Sequence, residues 1–188
     1  MEEKLEQKSG NIIKIVLFGP ESTGKTTLAR QLAAYYKTAL VPEYMREYLQ
    51  DKWDKEKEVC QPEDLWPIAV GQMERENRLA KKAGKLLICD TNLLEIKVYS
   101  EAYYNEYCNK TIEKFALANT YDLYLLTNVD VPWEADDLRD KPLERTSMFI
   151  RFKNTLDKYK MPYKLIEGNQ QERFNKAVQS IDNLLKKI

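Results

Sequence analysis

The feature that most constrains the fold is a direct succession of strand, glycine-containing loop and helix near the N-terminus. Residues 12–18 form an apolar, β-branched run, IIKIVLF, which is too short for a typical helix and typical of a strand buried on both faces. The loop GPESTGKT follows from Gly19, and the next segment, TTLARQLAAYY, has apolar residues at helical spacing. This order predicts an α/β fold whose first strand leads into a phosphate-binding loop.

The loop matches the pattern GxxxxGK[ST] through Gly19, Gly24, Lys25 and Thr26. Its glycines permit backbone angles that side chains would block, so successive N–H groups can point at an anion, and the following helix adds the positive end of its dipole. Lys25 is expected to reach the outer phosphates, and the Thr26 hydroxyl to hold Mg²⁺. The expected cofactors are ATP and Mg²⁺, with the choice between ATP and GTP left open. The residues expected to bind the nucleotide are Gly19, Glu21, Ser22, Thr23, Gly24, Lys25, Thr26, Thr27 and, after the fifth strand, Asn169.

Four more strands are predicted by short apolar runs that alternate with helical patterns. They lie at about 38–44, 86–90 and 121–127, and in the segment PYKLIEG. This alternation implies a parallel sheet covered on both sides. With right-handed crossovers, it predicts a three-layer, doubly wound, five-stranded α/β fold of the P-loop nucleotide-kinase kind, with strand order 2-3-1-4-5.

The chain is expected to form one domain. Residues 1–10 are polar and predict a flexible lead, and residues 11–188 predict a single domain. A charged, proline-containing excursion predicts a lid around 130–147. The polar stretch before Pro62 receives no element, and a helix is expected to start near Pro62.

Composition excludes several classes of protein. The 30 basic and 30 acidic residues cancel, which argues against a nucleic-acid surface. No apolar run approaches the roughly 18 residues of a membrane span. The absence of histidine rules out Ser-His-Asp and Cys-His nucleophiles. Three cysteines without a CxxC pair suit a reducing cytoplasm. The expected partner is therefore a small molecule, and the oligomeric state is left open.

Five charged residues outside the loop are candidates for chemistry. Asp90 ends the third strand and is expected to ligate Mg²⁺ or to accept a substrate proton, with capping of the next helix as the alternative. Glu43 follows the second strand, where a carboxylate can bind ribose hydroxyls or take a proton; with Arg46 it could instead be a solvated pair. Arg139 and Arg145 lie in the excursion, where they are surface charge or neutralise the transferred phosphoryl group.

These residues favour a nucleoside or nucleotide kinase over other P-loop proteins. A small GTPase needs an NKxD sequence, and residues 127–130, TNVD, have the wrong spacing. A motor or AAA-type ATPase usually needs a longer chain, and interface arginines that a single sequence does not show. A kinase needs a carboxylate after the second strand, an acceptor pocket and a lid with arginines, all of which the sequence offers. A nucleotide-switched binding module is the alternative from another class.

The chain also resembles a known family through four segments in order: GPESTGKTTLARQLAAYY, VPEYMREY, LLICDTNLLEIKVYSEAYY and VDVPWEADDLR. They are similar to the nicotinamide riboside kinase domain of NadR-type proteins, from about Ile13 to Leu185. The resemblance implies that ATP and nicotinamide riboside give ADP and nicotinamide mononucleotide. The adenylyltransferase found in larger members needs an HxGH motif, which a chain without histidine lacks, so a stand-alone kinase is implied.

The positive pyridinium ring of nicotinamide riboside predicts an aromatic or acidic acceptor site. Trp133 is the preferred stacking residue, because Tyr99, Tyr103 and Tyr107 have the spacing of a half-buried helical stripe. Asn92 departs from the family pattern, in which a second Asp often stands there. Between Glu43 and Asp90, the choice of base stays open. The residues expected to bind the acceptor are Glu43, Tyr44, Arg46, Thr91, Asn92, Trp133 and Asp136.

Overall fold

The computed structural model describes residues 2–8, 10–136, 138 and 142–187, and its centre is one parallel sheet. The strands are β1 Ile13–Phe18, β2 Ala39–Val41, β3 Leu86–Asp90, β4 Leu123–Thr127 and β5 Tyr163–Ile166. All four pairings are parallel and the order is β2-β3-β1-β4-β5. The predicted fold class and the strand order 2-3-1-4-5 are confirmed.

Helices cover both faces of this sheet. They are α1 Lys25–Tyr35, α2 Tyr44–Glu56, α3 Leu65–Ala80, α4 Leu93–Tyr103, α5 Lys110–Ala118, α6 Arg145–Lys158 and α7 Gln170–Leu185. Short 3₁₀ turns occupy Glu2–Leu5, Pro62–Asp64 and Pro142–Glu144. None of the helices in the described part of the chain is long and apolar enough to cross a membrane.

Alternation along β1 produces two separate apolar cores. Ile15 and Leu17 face α1 and α7, where Leu32 and Ile181 are fully buried. The intervening residues face the opposite layer, which α3, α4 and α6 build with side chains such as Met73, Leu94 and Phe152. Strand β1 is central in the sheet, so its C-terminal end, which carries the phosphate loop, is flanked by the ends of β3 and β4.

Helix α2 occupies the polar stretch to which the sequence assigned no element. None of its residues is fully buried, so its apolar periodicity is weak. Met45, Tyr48 and Leu49 are partly buried and pack against the core. The helix ends where Lys57 adopts a left-handed conformation, with φ 58°. Its formation depends on contact with α3, which a local sequence pattern does not record.

The N-terminal residues also differ from the flexible lead that their polarity predicts. Leu5 is fully buried in the core, and its segment packs against α3 and α5. The Asn119 amide donates to the Leu5 carbonyl at 3.0 Å, and the Asn77 amide donates to the Glu6 carbonyl at 2.9 Å. The buried Leu5 side chain, these two hydrogen bonds and further ones made by Gln7 and Lys8 hold this segment in place.

Candidate active site

A cavity of about 560 Å³ lies at the C-terminal edge of the sheet, where ligands bind in open α/β folds. One half is lined by residues of the phosphate loop and of α1, and residues of the segment after β4 and of α7, among them Arg173, also line the cavity. The other half is lined by α2 and α4 and by the segment between α2 and α3. The lining side chains of this second half are Glu43, Met45, Arg46, Leu49, Val59, Cys60, Leu65, Tyr99, Tyr103 and Tyr104. A nucleotide site and a mixed apolar and acidic site thus share one space.

The phosphate loop has the backbone that its glycines predict. Gly19 and Gly24 have φ values of 141° and 79°, which are strained for residues with a side chain. A Cβ atom on Gly19 would lie 2.6 Å from the Thr127 hydroxyl oxygen. The Thr23 hydroxyl donates to the Pro20 carbonyl at 2.7 Å and hydrogen-bonds the Thr127 hydroxyl at 2.7 Å. The loop is therefore anchored on β4.

Lys25 reaches into the cavity from the start of α1 and is 7% exposed. Its ammonium donates to the Gly19 carbonyl at 2.6 Å and to the Pro20 carbonyl at 2.8 Å. The same ammonium lies 3.4 Å from the carboxylate of Glu95. The Lys25 ammonium is thus held beside the loop, where it could contact a phosphate group bound there.

Thr26 and Asp90 meet as a magnesium site requires. The Thr26 hydroxyl donates to Asp90 Oδ2 at 2.6 Å. Asp90 is 1% exposed, and burial raises the pKa of its carboxyl, while the Thr26 hydrogen bond and the Lys25 and Arg30 charges oppose that shift. Within the described residues, Asp90 Oδ1 is buried without a hydrogen-bond partner. A hydroxyl and a carboxylate with an oxygen to spare fit Mg²⁺, which takes its other ligands from water and phosphates.

Glu95 is a site residue that the sequence analysis did not select. It lies in the first turn of α4, is 2% exposed and contacts Lys25. Burial raises the pKa of its carboxyl well above the ordinary range; Lys25 opposes this shift, and the charges of Glu43 and Asp90 add to it. The available signal was one acidic residue in the apolar run LLEIKV.

Tyrosines adjoin these carboxylates. Burial raises the pKa of Tyr99 well above its ordinary value, and the negative charges of Glu95, Glu21 and Glu43 raise it further. Tyr99 and Tyr103 both line the cavity, with ring centroids 6.2 Å apart. Two members of the predicted tyrosine stripe, Tyr99 and Tyr103, therefore form part of the cavity wall, whereas the third, Tyr107, is exposed.

Several residues predicted to bind the acceptor lie elsewhere. Asn92 is fully buried and caps α4 by accepting from the N–H groups of Leu94 and Glu95. Thr91 is 4% exposed, with φ 70°. The Tyr44 ring packs against Gly71, under the guanidinium of Arg75 at 4.8 Å. These three side chains are used inside the fold and do not line the cavity.

Trp133, Asp136 and Arg145, which the sequence assigned to the lid, contact other residues of the fold and do not themselves line the cavity. Trp133 lies beside Arg145, 5.6 Å from guanidinium to ring centroid, and is not among the cavity-lining residues. Asp136 pairs with Arg46, which does line the cavity. Arg145 donates to the carbonyls of Val131 and Ser22, at 3.0 and 2.9 Å.

Arg139 and Asn169 were also predicted to belong to the site. Arg139 lies outside the described residues. Asn169 caps α7 by accepting from the Glu172 N–H, and the neighbouring Gln170 lines the cavity in its place. Asp90 adjoins the cavity through its contact with Thr26. The predicted residues that line the cavity are Glu21, Ser22, Thr23, Gly24, Lys25, Thr26, Thr27, Glu43 and Arg46.

Comparison with known proteins places this site in a family. A family model described as an AAA domain matches residues 14–173. The chain belongs to this AAA-domain family. The sequence argument against AAA-type ATPases cited chain length and interface arginines, and the match shows that a chain of this length can belong to an AAA-domain family.

The resemblance to NadR-type proteins is confirmed. The chain is 27% identical over 128 residues to the trifunctional NAD biosynthesis/regulator protein NadR of Salmonella typhimurium strain LT2, and equally to that of Escherichia coli strain K12. The aligned part is 66% of this chain and 30% of each relative, so this AAA-domain chain matches less than a third of their length.

Solved structures show the same fold. A crystal structure of a NadR protein in complex with NR superposes with a TM-score of 0.77 at 19% identity, covering 96% of this chain and 52% of the other. A deoxyadenosine kinase from M. mycoides superposes with a TM-score of 0.62 at 12% identity, covering 92% of this chain and all of the other. The AAA-domain chain therefore has the nucleotide-kinase fold.

Proposed function

We propose that this protein is an ATP-dependent kinase that phosphorylates the 5′-hydroxyl of nicotinamide riboside, which gives nicotinamide mononucleotide for NAD salvage. One observation carries the proposal: a single cavity joins a phosphate loop to a wall of carboxylates and tyrosines. The likeness to NadR proteins, one of them solved with NR, supports this acceptor. The proposed location is the cytoplasm, which suits three free cysteines.

The loop half would bind ATP. Backbone N–H groups and the α1 dipole would hold the β- and γ-phosphates, and Lys25 would exchange its carbonyl contacts for phosphate oxygens. Thr26 and Asp90 would hold Mg²⁺, which when bound neutralises charge on the phosphates.

The acceptor hydroxyl would be activated by Glu43. Glu43 precedes α2 and lines the cavity, whereas Asp90 accepts a hydrogen bond from Thr26 and is not one of the lining residues. The negative charges of Glu43 and Asp90 both add to the raised pKa of the buried Glu95 carboxyl. This geometry favours Glu43 as the residue that orients the 5′-hydroxyl and accepts its proton, and Asp90 as the metal ligand.

The nicotinamide ring would enter between tyrosines and aliphatic side chains. Tyr99 and Tyr103 line one side, and Leu49 and Val59 also line this half. Aromatic faces attract a pyridinium cation, and the neighbouring carboxylates add favourable charge. The same charges would repel the extra carboxylate of nicotinic acid riboside. Trp133 is less suited to stacking than the sequence suggested, because Arg145 lies over it.

A kinase for another nucleoside or a nucleotide is the second candidate, favoured by the fold shared with deoxyadenosine kinase. A monophosphate acceptor would need several arginines in the acceptor half. Among the described residues that line this half, Arg46 is the arginine present, and it is paired with Asp136. That pairing favours an acceptor without a phosphate.

A matched pair of substitutions on α2 tests the acceptor site. Glu43→Gln should lower nicotinamide riboside-dependent ADP release about 100-fold, since loss of a positioned base typically costs 10²–10⁴-fold, with the affinity for ATP unchanged. Glu47→Gln is the control, because Glu47 is exposed and pairs with Arg75 on the surface. Release that is independent of any nucleoside would instead indicate a nucleotide-switched module. Normal turnover of the Glu43→Gln protein would remove Glu43 from the mechanism.

A further inference from the structure

Two arginines outside the GxxxxGKT sequence contact the backbone of the phosphate loop. Arg173, in the first turn of α7, is 5% exposed, and its Nη1 donates to the Thr23 carbonyl at 2.7 Å. Arg145, the first residue of α6, donates through Nη2 to the Ser22 carbonyl at 2.9 Å. Two successive carbonyls of the loop are therefore held by guanidinium groups from distant parts of the chain.

These contacts determine where the neighbouring N–H groups point. In a planar trans peptide, the C=O of one residue and the N–H of the next point in opposite directions. Fixing the Ser22 and Thr23 carbonyls thus fixes the N–H groups of Thr23 and Gly24 on the other side of the loop. Ser22 and Gly24 have φ values of 54° and 79°, and such left-handed residues alternating along a loop create anion-binding concavities.

We propose that Arg145 and Arg173 are positioning residues that turn the N–H groups of Thr23 and Gly24 toward the phosphates of the bound nucleotide. They act through the backbone of the loop, a role different from the direct neutralisation that the sequence predicted for Arg145. The inference rests on the proposed use of the loop for nucleotide and is independent of the acceptor.

The setting of Arg173 requires a guanidinium. Its Nε donates to the Gly168 carbonyl at 2.9 Å, and its Nη2 donates to the Asn128 carbonyl at 3.0 Å and pairs with Asp130. Asp130 also accepts from the Gly168 N–H at 2.6 Å. The planar fork of arginine meets these partners and Thr23 together, whereas the single ammonium of lysine cannot. Arg173 thereby joins the loops after β4 and β5 to the phosphate loop.

The test is the affinity for Mg-ADP, measured by calorimetry without any nucleoside. Arg173→Lys keeps the positive charge but loses the fork, and should raise the Kd about tenfold, comparable to one lost hydrogen bond to a charged group. Arg145→Lys, at a less buried site, should raise it about fivefold. Arg75→Lys is the matched control, because Arg75 is an ion-paired arginine that contacts Glu47 and Tyr44 on α2, and the Kd of this variant should be unchanged.

Thermal unfolding without nucleotide separates positioning from general stability. The proposal expects the Kd of Arg173→Lys to rise at a temperature where the protein is fully folded. Wild-type affinity in the folded Arg173→Lys protein would show that charge alone matters and would overturn the proposal. If Arg173→Lys does not fold, Arg145→Lys decides: a raised Kd supports positioning, and an unchanged Kd refutes it. Absence of nicotinamide riboside phosphorylation would leave this result intact.

Discussion

Replacing Asp90 by Asn should make the nucleotide-free protein more stable and the enzyme nearly inactive. Asp90 is 1% exposed, and its Oδ2 accepts one hydrogen bond from Thr26. Its Oδ1 is buried and, in the described part of the chain, has no hydrogen-bond partner. Burial raises the pKa of this carboxyl, although Thr26, Lys25 and Arg30 oppose the shift. The ionised form is therefore disfavoured in the folded protein.

The expected increase in the free energy of unfolding can be estimated from these contacts. A buried polar group without a partner costs about 1–3 kcal/mol, and more when it is charged. Asparagine keeps an acceptor for Thr26 and removes the charge, but it buries an NH₂ group where Oδ1 stood. We expect a net gain of about 1 kcal/mol in the free energy of unfolding. We expect turnover to fall on the order of 100-fold, because a charged ligand of Mg²⁺ is lost.

The same substitution at Asp64 is the matched control and should have the opposite effect. Asp64 is 7% exposed and both its oxygens have partners. It accepts from Lys52 at 2.7 Å, from the Gln61 N–H at 2.7 Å and from the Tyr48 hydroxyl at 3.1 Å. Asp64→Asn should therefore lower the free energy of unfolding by about 1–3 kcal/mol, with turnover largely retained.

Urea denaturation at neutral pH, with a chelator and without nucleotide, measures both changes. The midpoint should rise for Asp90→Asn and fall for Asp64→Asn, with equal m-values, since neither change alters the surface exposed on unfolding. A loss of stability in Asp90→Asn as large as that in Asp64→Asn would refute the reasoning. It would mean that the hydrogen bond and nearby cations outweigh the burial of the carboxylate.

Three further perturbations have defined outcomes. Lys25→Ala should lower kcat on the order of 100-fold in steady-state assays, because it removes charge from the transition state. Gly71→Ala would place a Cβ 2.2 Å from the Tyr44 ring and should cost about 2 kcal/mol in urea denaturation, whereas Gly84→Ala, with open space, should be nearly neutral. Burial alone would raise the pKa of the Asp64 carboxyl, but its hydrogen bonds have the larger effect, so the pKa lies below its ordinary value. Since the folded pKa is depressed, the stability from Asp64 is present at neutral pH and should be lost as the pH falls below 3.8.

The parts of the fold that were predictable depend on local patterns. The apolar runs of β1 and β3 and the glycines of the phosphate loop are short, contiguous signals, and they led to the confirmed strand order. Helix α2 was missed because none of its residues is fully buried, so its polar sequence lacks a clear apolar face. Leu5 was missed because one apolar residue in a polar segment does not show what it packs against.

The parts of the site that were missed depend on distant contacts. Glu95 reaches Lys25 from 70 positions along the chain, and Arg173 reaches Thr23 from 150 positions. Neither pairing leaves a local pattern. Conversely, Asn92 has the right position for an acceptor contact, but its side chain caps α4 because the exposed N–H groups of a helix start need an acceptor. A polar residue next to a functional motif can thus have a structural role, here as a helix cap.

The most direct test of the central claim is the product formed from Mg-ATP and nicotinamide riboside by the purified protein. Mass spectrometry should detect nicotinamide mononucleotide and ADP in equal amounts. Uridine, cytidine and nicotinic acid riboside should give far less product, because the acceptor half pairs tyrosines with carboxylates. ATP consumption with no phosphorylated nicotinamide riboside, or preferential phosphorylation of a neutral nucleoside, would contradict the account.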